Sequence, residues 1–308
     1  MADVNKRFSV IIPTYTRQEY VRQAIDSVLA QTFKDYELIV IDDGSTDRTW
    51  DVLQSYGAQI KTIHQINHGY VEASKAGVSL ANGEYLAFLD DDDRFLPEAL
   101  EIYDKIIRAL DSPPVIIGAM KTFRQDLEFK ENVGSGGAIE VLKYRNYLSK
   151  DIGIGLSQSR IVMKKALFEG VYGPGDGATS CTWIDYNLML QTGIYGPCVI
   201  VKSPTTVAYR LHGHQLTENL EKSALGIFSL IHTIRRGRYP GWRSHFLGKY
   251  AFAGGPVYEW SRKALQGNRP GLAFRILLNG WPMVVAAIIR KFLFLFQRPT
   301  TPLTIVNE

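Results

Sequence analysis

The chain has 308 residues, 45% of them hydrophobic, with 35 Lys and Arg, 31 Asp and Glu, and two cysteines. It is long enough for one sizeable core or two smaller ones, too ordinary in composition for long disorder, and too poor in cysteine for a disulfide framework. The net charge of +4 hides an asymmetry: residues 218–308 hold 13 Lys/Arg against 4 Asp/Glu, a balance of +9, and the remainder 22 against 27, a balance of −5.

An acidic first part favours cation binding, and a basic, aromatic tail favours an anionic partner such as a membrane surface. Neither Cys181 nor Cys198 sits in a CxxC. The polar first residues run straight into an apolar stretch with no secretory signal. Together these lead us to expect a reduced, cytoplasmic setting, with a peripheral position on the inner face of the membrane as an option.

Taken in order, residues 8–12 (FSVII), 37–41 (ELIVI), 60–64 (IKTIH), 85–89 (YLAFL) and 115–119 (VIIGA) are short apolar runs that fit strands buried on both faces. Helical patterns lie between them. Val21, Ala24, Ile25, Val28 and Leu29 recur at helical spacing, and Thr16 and Glu19 stand three apart before them, as a capping box would. Residues 45–56 begin with capping residues and end at Gly57. Residues 71–81 form a third helix, stopped by Asn82 and Gly83, and Pro97 opens a fourth that runs to about Leu110.

From about Phe123 the pattern loosens, with glycine-rich turns at 134–137 and 173–177. A helix-like stretch follows at 183–191, a strand-like one at 199–201, and helical segments at 225–236 and 271–296. Strands alternating with helices predict an α/β fold with a mostly parallel, Rossmann-like sheet flanked by helices, and a helical C-terminal extension.

Ligands of such sheets bind at the carboxyl ends of the strands. The turns there, at 13–17, 42–47 and 90–94, are all rich in polar chemistry. Asp90, Asp91, Asp92 and Asp93 repel one another unless a cation neutralises them, and oxygen ligands of this kind suit Mg2+ or Mn2+. The run by itself also reads as a solvated acidic turn. Asp43 could accept a base N–H or bind ribose, or the 42–45 turn could simply cap a helix. Tyr15 could stack on a base or belong to the core.

Residues 8–15 (FSVIIPTY), 37–47 (ELIVIDDGSTD), 83–93 (GEYLAFLDDDD) and Pro97, in this order, resemble the family-2 glycosyltransferases of the GT-A fold. The match is close over 7–110 and continues more faintly to about 215. The resemblance implies a catalytic domain at 1–217, with nucleotide binding at 1–110 and acceptor binding at 111–217, followed by a basic, largely helical extension at 218–308. It places Pro13, Thr14, Tyr15 and Arg17 along the nucleotide, Asp43 on the base and Asp42 on the ribose side.

Asp90 and Asp92 match the Asp-x-Asp metal motif. The resemblance implies that Asp92 is the metal ligand, Asp90 a ribose contact or metal neighbour, Asp91 the spacer between them and Asp93 a residue that supports the site from behind or lies on the acceptor side. Gln65, Asn67 and Gly69 match a polar stretch before the third helix. Lys75 takes a position where the family usually has Arg, near base or phosphates, and Ala76 departs from the usual Asn. Residues 183–188 (WIDYNL) resemble the Glu-Asp-x-x-Leu segment with Ile184 in place of Glu, which puts Asp185 on the catalytic base. Trp183 becomes a candidate acceptor platform. Arg210-x-His212-x-His214 resembles the Arg-x-His near the end of the domain, with His212 as a metal or diphosphate contact.

The resemblance thus implies an inverting, non-processive hexosyl transfer. The sugar moves from a nucleotide diphosphate-sugar, with UDP favoured, to a hydroxyl of a saccharide or lipid-linked acceptor. The expected cofactor is Mn2+ or Mg2+, and the setting is cell-surface polysaccharide or glycolipid synthesis. Attack by a hydroxyl on an anomeric carbon needs a base independently of any family. A nucleotidyltransferase is a second reading, although residues 13–17 hold no glycine-rich phosphate loop. A non-catalytic sugar-nucleotide or lipid-carrier binding protein is a third. No nucleic-acid partner is expected. In the tail, the uncharged run 276–289 is 14 residues and contains Pro282, against the roughly 20 apolar residues of a membrane span. It is expected to lie in a membrane interface, pack on the domain or make an oligomer contact.

Overall fold

The computed structural model describes residues 6–124, 137–150, 152–171, 184–213, 219–241, 243–296 and 299–306. The chain runs β1 (Phe8–Thr14), α1 (Gln18–Leu29), β2 (Tyr36–Asp42), α2 (Thr49–Gln54), β3 (Lys61–His64), α3 (Tyr70–Ser79), β4 (Tyr85–Phe88), β5 (Arg94–Phe95), α4 (Ala99–Ala109), β6 (Val115–Ile117), β7 (Met120–Phe123) and β8 (Ile139–Tyr144). It continues through β9 (Ile161–Lys164), α5 (Lys165–Val171), α6 (Ile184–Thr192), β10 (Cys198–Ser203), β11 (Val207–Arg210), α7 (Leu220–Arg235), α8 (Phe246–Gln266), α9 (Pro270–Phe294) and β12 (Leu303–Ile305).

Continuous apolar runs become strands because the sheet is covered on both faces. Val10, Ile12, Leu38, Val40 and Ala87 enter one core cluster, while Ile11, Ile39, Ile41, Leu86 and Phe88 enter the other. This is the two-residue alternation of a pleated strand. Val21 and Ile25 of α1 and Leu100 and Ile106 of α4 close the first face, and Ala73 and Val78 of α3 help to close the second.

The main sheet has the order β12-β8-β10-β6-β9-β4-β1-β2-β3. Among its described strands only β8 and β9 run against the other seven, so the mostly parallel expectation is borne out. From β1 the chain builds β2 and β3 on one side, then crosses to the other side of β1 to lay down β4. The order reverses between β1 and β4, and there the strands' carboxyl ends leave a crevice. A small second sheet, β5-β11-β7, stands beside it and carries β11 toward the acid run.

Three local expectations need correction. The 45–56 helix is shorter, because residues 45–48 work outside it. The Thr16 capping box does not form: Thr16 has φ 53°, and no side chain caps α1 from the Ncap position. Instead the neighbouring loop satisfies the free donors, with Arg17 N–H donating to Thr49 Oγ1 (3.0 Å) and Gln18 N–H to Asp47 Oδ2 (3.2 Å). Finally, α8 has no counterpart among the expected elements, and Gly254-Gly255-Pro256 lies inside it. The helix continues through Pro256, and α9 packs so closely that a Cβ on Gly254 would lie 2.2 Å from the Met283 carbonyl oxygen.

α7, α8 and α9 gather a third cluster around Ile227, Ile231, Val257, Trp260 and Ile276. This unit is stitched to the rest. Leu190 of α6 lies in the same cluster, and β12 returns to pair antiparallel with β8 at the sheet edge.

Candidate active site

The four acids that leave β4 are treated unequally. Asp93 turns inward at 1% exposure, accepting from Ser159 Oγ (2.6 Å) and from Arg210 N–H (3.0 Å). It joins β4 to β11, the supporting one of its two expected places. Asp91 accepts from Thr14 Oγ1 (2.7 Å) and so ties β4 to β1. Asp90 accepts from the Tyr70 hydroxyl and from Ser157 Oγ (3.4 Å).

Asp92 faces the crevice. Its Oδ2 lies 2.9 Å from His212 Nε2 and 3.4 Å from Arg17 Nη1, which is itself 3.3 Å from His212 Nε2. The Tyr20 ring stacks on His212, with centroids 5.1 Å apart. Burial, and then the charge of Asp92, hold Asp90, Asp91 and Asp93 above the usual carboxylate range.

Among the described residues no three His, Cys, Asp or Glu side chains converge on one point, so these residues by themselves build no closed metal cage. The donor set still fits a hard divalent ion. Such ions take one or two carboxylates and leave the remaining positions to substrate phosphates and water. Asp92 and His212, hydrogen-bonded to each other at 2.9 Å, are the side chains that would hold such an ion. A bound cation would favour the ionised forms of the neighbouring carboxyls, which burial and mutual repulsion otherwise disfavour.

The loop after β2 is largely consumed by its own construction. Asp42 is 0% exposed. Its Oδ1 accepts from Ser45 N–H (3.0 Å) and the Ser45 hydroxyl, and its Oδ2 lies 2.7 Å from His64 Nδ1. Both of its oxygens shape the turn, the capping alternative of the two readings open for residues 42–45. Gly44, at φ +78°, passes so near the 65–67 backbone that a Cβ would sit 2.8 Å from Asn67 N.

Asp43 holds the next loop, accepting from Gln65 Nε2 (2.7 Å), His68 N–H (2.9 Å) and Gly69 N–H (2.8 Å). Asp43 is 3% exposed, and three donors leave one of its four acceptor sites unfilled by these contacts.

Of the predicted nucleotide contacts, Pro13 and Thr14 are buried at the end of β1. Tyr15 stands 47% exposed at the end of β1. Lys75 lies on α3, paired with Glu72 (3.0 Å). Asp185 opens α6 half-buried, next to Tyr186 N–H (2.8 Å). Burial and the charge of Asp90 push its carboxyl up to about 7, against the pull of that N–H. The charge coupling places Asp185 and the acid run in one electrostatic neighbourhood. Trp183, His214, Cys181 and residues 173–177 lie outside the described residues.

Sequence reasoning missed Tyr70, Ser157, Ser159, Tyr20 and Gln158. The Gln158 amide is buried between the two serines with neither polar end bonded among the described residues. Only the Ser-x-Ser spacing after Gly153 and Gly155 hinted at this wall.

The profile of glycosyl transferase family 2 matches residues 9–168. An uncharacterized glycosyltransferase of Nostoc sp. is 32% identical over 217 residues, 67% of this chain and 65% of that protein. One of Rickettsia typhi is 41% identical over 109 residues, 35% of this chain and 34% of that protein. The matched segment thus spans about a third of the Rickettsia relative. Two solved structures share the fold. TarS 1–349 of S. aureus in complex with UDP-GlcNAc has a TM-score of 0.54 at 16% identity, over 93% of this chain and 92% of that one. The mannosyltransferase PcManGT of Pyrobaculum calidifontis with GDP-Man and Mn2+ has a TM-score of 0.52 at 16% identity, over 94% and 88%.

Proposed function

The chain belongs to glycosyl transferase family 2, and from that premise we propose that it moves a sugar from a nucleotide diphosphate-sugar to an acceptor hydroxyl with inversion. The observation that carries this reading is the meeting of two groups in one neighbourhood. The Asp92–His212–Arg17 set lies at the β1/β4 reversal, and Asp185 is close enough for the charge of Asp90 to raise it. A diphosphate needs the first and an attacking hydroxyl needs the second.

Tyr15, at the mouth of β1, offers its exposed ring to the base, and Asp43 offers its remaining acceptor site to a base N–H. Asp90 borders the ribose, and Asp91 holds Thr14 in the floor beneath it. Asp92 and His212 would hold a divalent cation, Mn2+ or Mg2+, with Arg17 and Lys75 on the phosphate side. When bound, that cation supplies charge neutralisation for the departing nucleoside diphosphate.

Asp185 takes the acceptor proton as the acceptor oxygen closes on the anomeric carbon. The bond from that carbon to the diphosphate breaks on the opposite face, and the electron pair leaves with the phosphate. One carboxylate suffices because no covalent sugar intermediate forms. Residues 1–110 serve the donor and 111–217 the acceptor.

The donors held by two fold neighbours, UDP-GlcNAc and GDP-Man, define the donor class to test, with uridine first. The acceptor is a saccharide or lipid-linked hydroxyl in cell-surface polysaccharide or glycolipid synthesis, met at the cytoplasmic side of a membrane. A panel of nucleotide-sugars with Mn2+ or Mg2+, read by thermal shift and by nucleoside diphosphate release, tests the reading. Release of pyrophosphate, or metal-dependent binding with no turnover on any acceptor, would refute it.

A further inference from the structure

α9 is apolar on two opposite faces. Ala273, Ile276, Gly280 and Met283 face inward and are buried. On the other side Phe274, Leu278, Trp281, Val285, Ile288 and Phe292 recur every three to four residues, each 41–66% exposed. An unbroken stripe of six large apolar side chains along five turns is what an interaction surface exposes, not a solvated helix.

The charges around it select the occupant. α9 contains no Asp or Glu, and exposed Arg275 and Lys291 flank its uncharged middle. Among the described residues of α7–α9 the two acids, Glu221 and Glu259, are already paired with Arg269 (3.4 Å) and Lys263 (3.3 Å). Among the described residues the surface therefore joins an apolar stripe to an excess of positive charge, the complement of an anionic bilayer. A second copy would oppose like charges at both ends of the helix. A coiled-coil seam would be narrow and bordered by charged residues, but exposed Leu277, Ile289 and Leu293 widen this stripe.

By length α9 could cross a membrane: 25 residues rise about 37 Å. Its attachments forbid that. At its C-terminal half the Arg290 guanidinium donates to the carbonyls of Leu148 and Lys150 (2.8 Å for Lys150). Shortly after α9 ends at Phe294, β12 rejoins the catalytic sheet beside β8. Its inner face is packed on α7 and α8. Both ends of the helix thus belong to one folded body on one side of any bilayer. The same packed unit includes Leu190 and Tyr186 of α6, the helix that begins with Asp185.

We propose that α9 lies in the plane of an anionic bilayer on its outer stripe, and that this docking presents the site to an acceptor hydroxyl carried by a lipid. The acceptor half of this inference rests on the transfer reading above, whereas the docking half does not. The test is flotation of the full chain with vesicles of phosphatidylglycerol and phosphatidylcholine in equal parts, against vesicles of phosphatidylcholine alone. The wild type floats with the anionic vesicles, less so as salt rises. The double variant Leu278→Glu/Ile288→Glu loses more than about tenfold in partitioning, while its thermal shift with UDP and Mn2+ is unchanged.

A wild type that stays at the bottom of the gradient overturns the docking, even if it turns over donor. So does a dimer on size exclusion that the double variant splits, because a second copy would then be the occupant. A carboxyl-terminal tag shielded from external protease on vesicles would mean that α9 spans, and overturns the in-plane geometry. Flotation without nucleoside diphosphate release on any acceptor leaves the docking standing and refutes the transfer reading.

Discussion

Replacing Asp185 with Asn changes one atom of a half-buried carboxyl, keeps the shape of the α6 start and removes only the ability to take a proton. The loss of a positioned base costs about 10²–10⁴ in rate, or roughly 3–5 kcal/mol of barrier. The wild-type profile should carry the same group. With the carboxyl pushed up to about 7 by burial and by Asp90, about a tenth of the enzyme is in the basic form at pH 6 and about nine tenths at pH 8. The value of kcat/KM should therefore rise with pH and level off above about 8. Stability should move the other way. A carboxyl raised in the folded state contributes stability below its unfolded value near 3.8 and loses it as pH rises through about 7.

Above pH 7 the wild type bears the cost of a buried charge. The shift of about three units is worth at most ~4 kcal/mol, and partial solvent screening reduces this to about 1–2 kcal/mol. Asp185→Asn should thus be the more stable protein in urea at pH 8 and equal to wild type at pH 4. The rate assay is nucleoside diphosphate release under subsaturating donor. A variant within threefold of wild type, or a kcat/KM profile flat from pH 6 to 8, would show that the proton goes elsewhere.

Asp92→Ala should abolish the thermal shift that Mn2+ adds to a nucleoside diphosphate and leave the metal-free melting temperature nearly unchanged. Normal metal-dependent binding would remove Asp92 from the cation site. Tyr15→Ala should weaken nucleotide binding by about 0.5–1.5 kcal/mol in calorimetry, the worth of a ring-on-ring contact, without a stability cost because the ring stands in solvent. Asp42→Ala should do the reverse. It strands the donors of Ser45 and His64 and should cost about 1–3 kcal/mol in chemical denaturation, with donor affinity changed only as far as the loop moves.

Much of the fold was legible because burial on both faces writes itself as unbroken apolar runs, and the runs at 8–12, 37–41 and 85–89 became β1, β2 and β4. The family resemblance over 7–110 was legible for the same reason: these strands and the turns after them are local in sequence. What was not legible is long-range. Nothing near Asp93 says that Ser159 and the Arg210 N–H will occupy it, and nothing near Asp42 announces His64. β8, β9 and β12 hold their places through partners far along the chain, and α8 continues through Gly-Gly-Pro only because α9 and α7 pack against it. Residue identity near a strand's end marks where chemistry gathers. Which carboxylate faces the crevice is decided by donors that other segments deliver.

That division bears on why the run contains four acids. Asp91 meets one hydroxyl donor that Asn would satisfy through its carbonyl oxygen, without the penalty of a buried charge, whereas Asp93 spends one oxygen on the Ser159 hydroxyl and the other on the Arg210 N–H. Both are held above their ordinary range by burial and by Asp92. A sequence selected for stability alone would have no reason to keep Asp91. Local rules are broken where function compensates for the cost, and the compensation that fits three crowded carboxyls around a fourth in the crevice is positive charge arriving with the ligand. The same reasoning separates this cluster from the Asp42–Asp43 turn. There the donors already present balance nearly every acceptor site, and the acids serve the architecture first.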